Sequence, residues 1–340
     1  MDQNNNKQLA NISAIGQAAN QAAAETAFID YQARKSDQTI RRHKADLALF
    51  AEYLESKGIP AGDLFSDPQA WQGITWGLVK GFVLWMLQNS YAVSSVNMRL
   101  STVKVYAKLA AQAGVIETQE LAMIRTVTGY RQKEAKNMNE KREAAGIETR
   151  TGHKKADPVT ITKEQARALK KHPDTPQGRR DALLMALLLD HGLRCGEVAG
   201  LQVTDINLES GELIFYRPKV DKVQTHRLTR WSLAAAKAYL ENDAAAIGPL
   251  LRGSNKSGKL TKAGMSEQAI TKRVKILGED IGLEGLSAHD CRHYWATQAA
   301  RNGTPIDRLQ DAGGWTSPAM PLRYVEAAKI ANEGVNLGSD

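Results

Sequence analysis

The chain has 340 residues and 42% apolar content, enough for two domains that each bury a core of their own. Its formal net charge of +8 favours a polyanionic partner, although a moderately basic soluble protein has the same charge. No segment approaches the ~20 apolar residues of a membrane span, and the polar start lacks an apolar signal region. We therefore expect a cytoplasmic protein without a membrane partner. Two cysteines, Cys195 and Cys291, exclude a disulfide framework and a cysteine-rich metal site.

The first third of the chain predicts a short tail followed by a helical domain. Residues 1–21 are rich in Asn, Gln and Ala and are expected to form a mobile tail, whereas residues 22–135 carry helical patterns. Ser36 or Asp37 can cap one helix, and further helices are predicted over 75–88 and from residue 96 to 108. Basic residues that lie off the apolar stripes are predicted to contact phosphates or to form ordinary solvated surface: Arg41, Arg42, Lys44, Arg99, Lys104 and Lys108.

A charge-dense linker is predicted over residues 136–157, its first part extending a helix, and a second domain over 158–340. Thr162 and Gln165 form a capping box near its start. The hydrophobic period then changes, which predicts strands at 212–216 and 225–228 around a turn at 218–221. Helices are predicted over 179–191, 231–246, 266–280, 289–302 and 305–312, with a short one around Tyr324. The expected fold is mainly α with a small antiparallel β-sheet, an all-helical domain preceding a mixed α+β domain.

Arg194 and Arg292 are the candidates for stabilising negative charge on a phosphodiester. Cleaving such a bond without a metal places about two negative charges on the non-bridging oxygens of the transition state. A guanidinium stays protonated and donates paired hydrogen bonds, so two of them from separate segments could grip the phosphate from two sides. Glu197, one turn after Arg194, is close enough to orient it or a nearby histidine.

Three further side chains suit proton transfer, hydrogen bonding and nucleophilic attack. His289 lies three residues before Arg292 at a helix start, and could accept a phenol proton or hydrogen-bond the phosphate. Trp315 follows a Gly-Gly pair and can both bond a phosphate oxygen through its indole donor and pack the loop. Tyr324 is the candidate nucleophile, and we expect the neighbouring arginines to favour its phenolate form.

A lysine on the predicted hairpin could complete the chemistry. Lys219 lies on the turn between the two strands, where its side chain can reach into the minor groove and protonate a departing 5′ oxygen. Lys222 follows closely and is the alternative. On the helix predicted over 266–280, the candidates for contact in the major groove are Gln268, Lys272 and Arg273.

These motifs resemble those of the tyrosine recombinase or phage integrase family, which includes Xer-type and Cre-like recombinases. The run Gly-Leu-Arg194-Cys-Gly-Glu197 is similar to the family's first arginine box, and His289-Asp-Cys-Arg292 to its His-x-x-Arg box. The spacing from Trp315 to Tyr324 is similar to that between the family's late His/Trp position and its nucleophile. Tryptophan in place of the more usual histidine is a departure that Cre-like enzymes share. The resemblance covers about residues 22–330.

The resemblance implies a two-domain, C-shaped clamp, with residues 22–135 as the core-binding domain and 158–340 as the catalytic domain. It implies a bacterial or phage-encoded, nucleoid-associated recombinase that acts as a tetramer on double-stranded DNA bearing a specific site. Strands would be exchanged through a 3′-phosphotyrosine and a Holliday junction, without a metal or nucleotide cofactor and with an accessory directionality factor as a further partner. Residues 325–340 would dock on a neighbouring subunit through Val325, Ile330 and Val335.

Other functions share these sequence features. A type IB topoisomerase or a telomere resolvase would use the same strand-transfer chemistry, and would be recognised by relaxation of a plasmid without a target site or by hairpin-ended products. A catalytically silent DNA-binding protein would show no cleavage at all. The complete set of candidate catalytic residues argues against this last alternative.

Overall fold

The computed structural model describes the backbone of residues 2–150 and 158–328, and the side chains of residues 13–150 and 158–326. The chain divides into two compact units, Met1–Lys154 and Lys155–Asp340. None of the helices within the described ranges combines the length and the apolar character needed to cross a membrane. The predicted docking anchors Ile330 and Val335, and residues 151–157 of the predicted linker, lie outside the described residues.

The first unit is helical throughout its described length. Its helices are α1 (Asp2–Ala33), α2 (Asp37–Glu55), α3 (Trp76–Gln88), α4 (Val93–Gln112), α5 (Thr118–Thr126) and α6 (Gln132–Ala144), with a short 3-10 turn at Pro68–Trp71. The hydroxyl of Ser36 accepts a backbone N–H group at the start of α2, as predicted, and the hydroxyl of Thr75 does the same at the start of α3. Buried aromatic rings fill the core between the helices, among them Phe50, Phe82 and Tyr106.

The tail expected over residues 1–21 is helical, because α1 begins at Asp2. Alanine and glutamine are strong helix formers, so this composition extends a helix once its far end is anchored. Phe28 supplies that anchor, because its buried ring packs edge-on against Tyr106 with the ring centroids 5.6 Å apart. The polar composition of residues 1–21 therefore indicates that this segment lacks an apolar face, and it does not indicate that the segment lacks a helix.

The second unit combines helices with two small antiparallel sheets, which confirms the predicted fold class. Its helices are α7 (Lys163–Ala168), α8 (Pro176–Asp190), α9 (Cys195–Gly200), α10 (Arg230–Asn242), α11 (Glu267–Glu279), α12 (Ala288–Arg301), α13 (Ile306–Gly313) and α14 (Ala319–Ala328). Its strands are β1 (Ile206–Asn207), β2 (Glu212–Arg217), β3 (Lys222–Arg227), β4 (Arg252–Ser254) and β5 (Leu260–Gly264). The capping box of Thr162 and Gln165 is present at the start of α7.

The hairpin of β2 and β3 carries the two candidate lysines. The strands pair antiparallel from Glu212 opposite Arg227 to Arg217 opposite Lys222, and β1 pairs with the other edge of β2. The second strand begins three residues earlier than the sequence predicts, and β1, β4 and β5 are not predicted from the sequence. Alternate residues of β2 are buried, so Leu213, Phe215 and Arg217 share the inward face.

Helix α8 crosses the middle of the second unit and is buried along most of its length. Thr175 caps its start and Pro176 occupies its first position. The chain leaves the helix through Gly192, whose φ of +60° suits glycine. A Cβ on Gly192 would lie 2.3 Å from the ring of Trp295 on α12, so this turn brings two segments of the candidate site close together.

Candidate active site

Arg194 stands at the start of α9 and is oriented by Glu197. Its backbone N–H donates to Glu197 Oε2 at 2.8 Å, and its Nη1 donates to Glu197 Oε1 at 2.7 Å. Its Nη2 donates to the carbonyl of Gly314 at 3.2 Å. The side chain is still 25% exposed, so this guanidinium is fixed by the protein and accessible to a ligand. Of the two roles predicted for Glu197, the contact with Arg194 is the one that these bonds provide.

Arg292 lies in the first turn of α12 and is almost fully buried, with 2% of the residue exposed. Its Nη1 donates to the Gly192 carbonyl and its Nη2 to the Gly313 carbonyl, both at 2.5 Å. The guanidinium lies over the indole of Trp315, 4.5 Å from the ring centroid. Burial, followed by repulsion from Arg194, lowers the pKa of Arg292 to about 9. An incoming anion would therefore favour its charged form.

The C-terminal end of α13 holds both arginines. Carbonyl groups at a helix C-terminus carry partial negative charge, and those of Gly313 and Gly314 accept from Arg292 and Arg194 respectively. Gly314 caps the helix in the left-handed conformation, with a φ of 58°. A Cβ on Gly313 would lie 2.1 Å from the ring of Trp315. The Gly-Gly pair is therefore required both for the turn and for the close packing of the indole.

Tyr324 lies on α14 inside the same unit, with 4% of the residue exposed. Its ring packs against Trp315 at a centroid distance of 5.7 Å, and edge-on against His293 at 5.2 Å. Its hydroxyl is buried and has no hydrogen-bond partner among the described residues. Trp315 therefore contacts both the candidate nucleophile and a candidate phosphate-binding guanidinium.

The neighbouring arginines lower the pKa of Tyr324, as expected from the sequence, but burial has the larger effect. Burial raises the pKa of Tyr324 above its ordinary value, and the opposing effects of Arg292, Arg323 and Arg194 are smaller. The phenol is therefore neutral at physiological pH. Attack by this oxygen requires a group that accepts its proton.

His289 is suited to be that proton acceptor. Partial burial, followed by the charges of His293 and Arg292, lowers the pKa of His289, so its ring is neutral near pH 7. The Nε2 atoms of His289 and His293 are 3.1 Å apart, and the His293 ring in turn contacts Tyr324. The three rings form a continuous series from the nucleophile to His289. His293 is visible in the sequence as the fourth residue after His289, at helical spacing.

The two hairpin lysines have different surroundings. The Nζ of Lys222 pairs with Asp311 of α13 at 2.7 Å. Lys219 lies on the exposed turn between β2 and β3, where no hydrogen bond or ion pair joins it to the described residues. Lys219 can therefore move toward a ligand without breaking a contact of this kind, whereas Lys222 cannot.

A functional candidate that sequence reasoning missed is Arg217, the last residue of β2. It is fully buried and donates to both carboxylate oxygens of Glu197 at 3.0 Å. Its Nε also bonds Gln224 on β3. The signal was present in the sequence, because strand alternation places Arg217 on the same inward face as Leu213 and Phe215.

Two basic residues of the first unit were predicted to point outward, but they contact other groups of the protein instead. The Nζ of Lys104 donates to the carbonyls of Arg125 and Val127, at 2.7 and 2.8 Å, where α5 ends. Arg99 lies with its Nε 3.8 Å from the buried carboxylate of Asp46. Lysine and arginine side chains often donate to free carbonyls at helix ends or pair with buried carboxylates. These partners lie on distant segments, so the hydrophobic periodicity of the sequence does not reveal them.

The remaining basic residues predicted in this unit are exposed: Arg41, Arg42, Lys44 and Lys108. Arg42 lies 3.9 Å from Asp46, and Lys44 lies over the ring of Phe65. Both keep solvent-accessible charge on α2, so phosphate contact by this helix stays a prediction.

On α11, Gln268 and Lys272 are exposed as predicted, but Arg273 is held by the protein. Its Nε and Nη2 bond the fully buried carboxylate of Asp181 at 2.8 and 2.6 Å. A buried carboxylate needs such a partner, so this arginine stabilises the packing of α11 on α8. The Arg273 side chain is still 24% exposed, so its contact with bases stays a prediction.

The chain was compared with known proteins. The model of the phage integrase family matches residues 159–330. The tyrosine recombinase XerD of Neisseria meningitidis serogroup B is 30% identical over 183 residues, which cover 52% of this chain and 62% of that relative. The tyrosine recombinase XerC of Chlamydia muridarum is 26% identical over 320 residues, covering 89% of this chain and 92% of the relative.

Solved structures share the fold at low sequence identity. The Tn1549 transposon integrase in complex with transposon right end DNA has a TM-score of 0.61 and 16% identity, and the match covers 92% of this chain and 98% of that one. A lambda integrase dimer bound to a core site has a TM-score of 0.60 and 13% identity, covering 88% of this chain and 75% of that one. Since the family model matches half of the chain, this protein belongs to the phage integrase family, the family of the tyrosine recombinases and integrases.

Proposed function

We propose that this chain is a site-specific recombinase that cleaves and rejoins double-stranded DNA through Tyr324. In the cleavage step the phenolic oxygen bonds to phosphorus, the bond from phosphorus to the 5′ oxygen breaks, and the 3′ end stays attached as a phosphotyrosine. The observation that carries the proposal is the packing of Tyr324 against Trp315, which also contacts the Arg292 guanidinium.

Each polar side chain has a separate task in this reaction. Arg194 and Arg292 bind the non-bridging phosphate oxygens and stabilise the charge that develops there. His289 accepts the phenol proton, with His293 between the two rings, and the indole of Trp315 donates to the phosphate. Lys219 delivers a proton to the 5′ oxygen as it leaves.

The proposed reaction needs neither a nucleotide nor a metal cofactor. One phosphoester replaces another of similar energy, so cleavage conserves the energy that rejoining uses. The two guanidinium groups supply the positive charge that the transition state requires. The phosphotyrosine is then resealed by attack of a 5′ hydroxyl from either the same or the partner duplex.

The names of the relatives support recombination as the outcome, since XerC and XerD are tyrosine recombinases. We propose that four copies assemble on two duplexes in the cytoplasm, that strands exchange through a Holliday junction, and that an accessory protein sets direction. Residues that follow Tyr324 would contact a neighbouring copy. The duplex would carry a specific site, with contacts from exposed basic residues of α2 and α11.

The test begins with duplexes selected from a random library by repeated binding to the full chain. When a selected duplex has a nick beside the cleaved bond, cleavage releases a short fragment that carries the 5′ hydroxyl. Without that hydroxyl the strand cannot be rejoined, so a covalent protein–DNA adduct should accumulate. Intact duplexes should give four-way junctions. Relaxation of any supercoiled plasmid without junctions would instead indicate a topoisomerase, and hairpin ends a telomere resolvase. Absence of adduct on every selected duplex would contradict strand transfer.

The acidic decline in the cleavage rate is expected to have its midpoint below the ordinary pKa of histidine. Because the pKa of His289 is lowered, most of its rings are still unprotonated acceptors when the pH reaches ~6.5. The rate should decrease only at more acidic pH, when His289 takes up a proton. Single-turnover adduct formation between about pH 5 and pH 9 measures this profile.

His289→Gln is the matching variant for the pH profile. It should slow cleavage by ~10²-fold or more and remove the acidic decline. A wild-type rate that is already halved near the ordinary histidine pKa would show that a different group accepts the proton.

Lys219→Ala should slow cleavage by ~10²-fold or more, and Lys222→Ala by much less. The reason is that Lys222 is paired with Asp311, whereas Lys219 can approach the leaving group. A duplex with sulfur in place of the bridging 5′ oxygen distinguishes the roles, since a thiolate leaves without a proton. It should restore the Lys219→Ala rate. Restoration of Lys222→Ala instead would reverse the assignment.

A further inference from the structure

A third arginine, Arg217, shares bonding partners with the two arginines that are proposed to bind phosphate. Arg217 is completely buried, with 0% of the residue exposed. Its Nη1 donates to both oxygens of Glu197 at 3.0 Å and to the Gly313 carbonyl at 3.3 Å. Its Nη2 donates to the Ala312 carbonyl at 2.8 Å, and its Nε donates to the side-chain oxygen of Gln224. All three guanidinium nitrogens are therefore bonded within the protein.

Its burial excludes Arg217 from the phosphate itself. The guanidinium presents no surface to solvent, and a Cβ on Gly314 would lie 2.6 Å from its Cδ. Burial lowers the pKa of Arg217, since the charged form loses hydration. A buried cation of this kind is tolerated only while its partners stay in place, which makes it a rigid support between Glu197 and the end of α13.

Glu197 connects this support to the reaction. Its Oε1 accepts from Arg194 Nη1 at 2.7 Å and from Arg217 Nη1 at 3.0 Å, so one carboxylate is held between two guanidinium groups. The Glu197 side chain is buried, at 3% exposure, and Arg217 restrains it by bonding its Oε2 as well, at 3.0 Å. Without that restraint the carboxylate could rotate, and the direction of the Arg194 guanidinium would no longer be fixed.

We infer that Arg217 is a positioning residue for DNA cleavage, which acts through Glu197 to fix the direction in which Arg194 meets the phosphate. This inference rests on the proposed function. A purely structural arginine would lower the stability of the unit and slow the reaction equally, whatever residue stood at position 194. If a residue acts through Arg194, replacing that residue should not change the cleavage rate of a chain that already lacks the Arg194 side chain.

The test measures single-turnover adduct formation on the selected duplex by the full chain, in a wild-type and in an Arg194→Ala background. Arg217→Met should slow cleavage by about 10- to 100-fold in the wild-type background and by less than ~3-fold in the Arg194→Ala background. DNA affinity should stay within about twofold of wild type, because the buried side chain makes no phosphate contact. Arg217→Lys should lie between the two, since it keeps the charge and loses the bonds that fix the fork.

Arg180→Met is the matched control. Arg180 is also buried in the second unit, at 1% exposure, but its bonds go to Asp181, Ser254 and the Arg252 carbonyl. Its effect on cleavage should be the same in both backgrounds. If Arg217→Met behaves like this control, or cleaves at the wild-type rate, the inference is wrong. If Arg217→Met does not fold, Arg217→Lys decides by the same comparison. Failure of the wild-type chain to form adduct would overturn the proposed function instead.

Discussion

Replacing Tyr324 by phenylalanine is expected to abolish covalent attachment to DNA, with a loss of at least ~10³-fold in single-turnover adduct formation. The substitution removes only the oxygen that would attack phosphorus. That hydroxyl has no hydrogen-bond partner among the described residues, so the ring can keep its packing against Trp315 and His293. DNA affinity and the unfolding midpoint should therefore stay close to those of the wild type.

Tyr294→Phe supplies the control for this substitution. Tyr294 is partly buried on α12 in the same unit, and its hydroxyl has no proposed role in the reaction. This variant should form adduct at the wild-type rate. Persistence of the adduct in Tyr324→Phe would place the nucleophile elsewhere. Mapping the peptide that carries the DNA would then identify the residue concerned.

Loss of either arginine that we propose binds phosphate, Arg194 or Arg292, should slow cleavage by more than ~100-fold, the scale for removing a fixed donor from a developing charge. Arg194→Ala is the cleaner variant, because this side chain is 25% exposed and its removal leaves little unfilled space. Arg292→Ala also removes the donor to the Gly192 carbonyl and leaves the Gly313 carbonyl with only the 3.3 Å bond from Arg217, so it should lower stability as well as rate.

Arg292→Lys separates the two effects at that position. A lysine keeps the positive charge but cannot bond two carbonyls with the same planar geometry, so a large part of the rate loss should remain. Single-turnover cleavage, DNA affinity and the unfolding midpoint should be measured on the same preparations. Near-normal cleavage by Arg194→Ala and Arg292→Lys, with intact folding, would refute the proposed roles.

The candidate site could be identified from sequence because its members lie in short motifs with local causes. Arg194 and Glu197 are one helical turn apart, and so are His289 and Arg292, so their proximity follows from helix geometry. The end of α13 follows from the Gly-Gly pair before Trp315. Helix starts were predicted equally well at Ser36 and Thr162, where a hydroxyl caps, whereas α8, capped by Thr175, begins three residues before its predicted start at residue 179.

What could not be predicted depends on contacts between distant segments. The partners of Lys104 and Arg273 come from α5 and α8, and neither contact has a local signature. The net rise in the pKa of Tyr324 could not be predicted, because the nearby arginines that lower it are visible in the sequence and the burial that outweighs them is not. The strands β4 and β5 are short and include glycine, so the alternation that reveals β2 is missing there.

Arg194 and Arg217 share one carboxylate and Arg292 lies close by, so this site carries surplus positive charge. Burial and mutual repulsion already depress the pKa of Arg292, so the folded domain bears a cost that only an anion can remove. Any polyanion that enters this site binds the native state and not the unfolded chain, and raises resistance to unfolding with the logarithm of its concentration. If the proposed function holds, DNA is then a stabilising ligand of the second unit as well as its substrate, and the unit resists unfolding most while the duplex occupies the site.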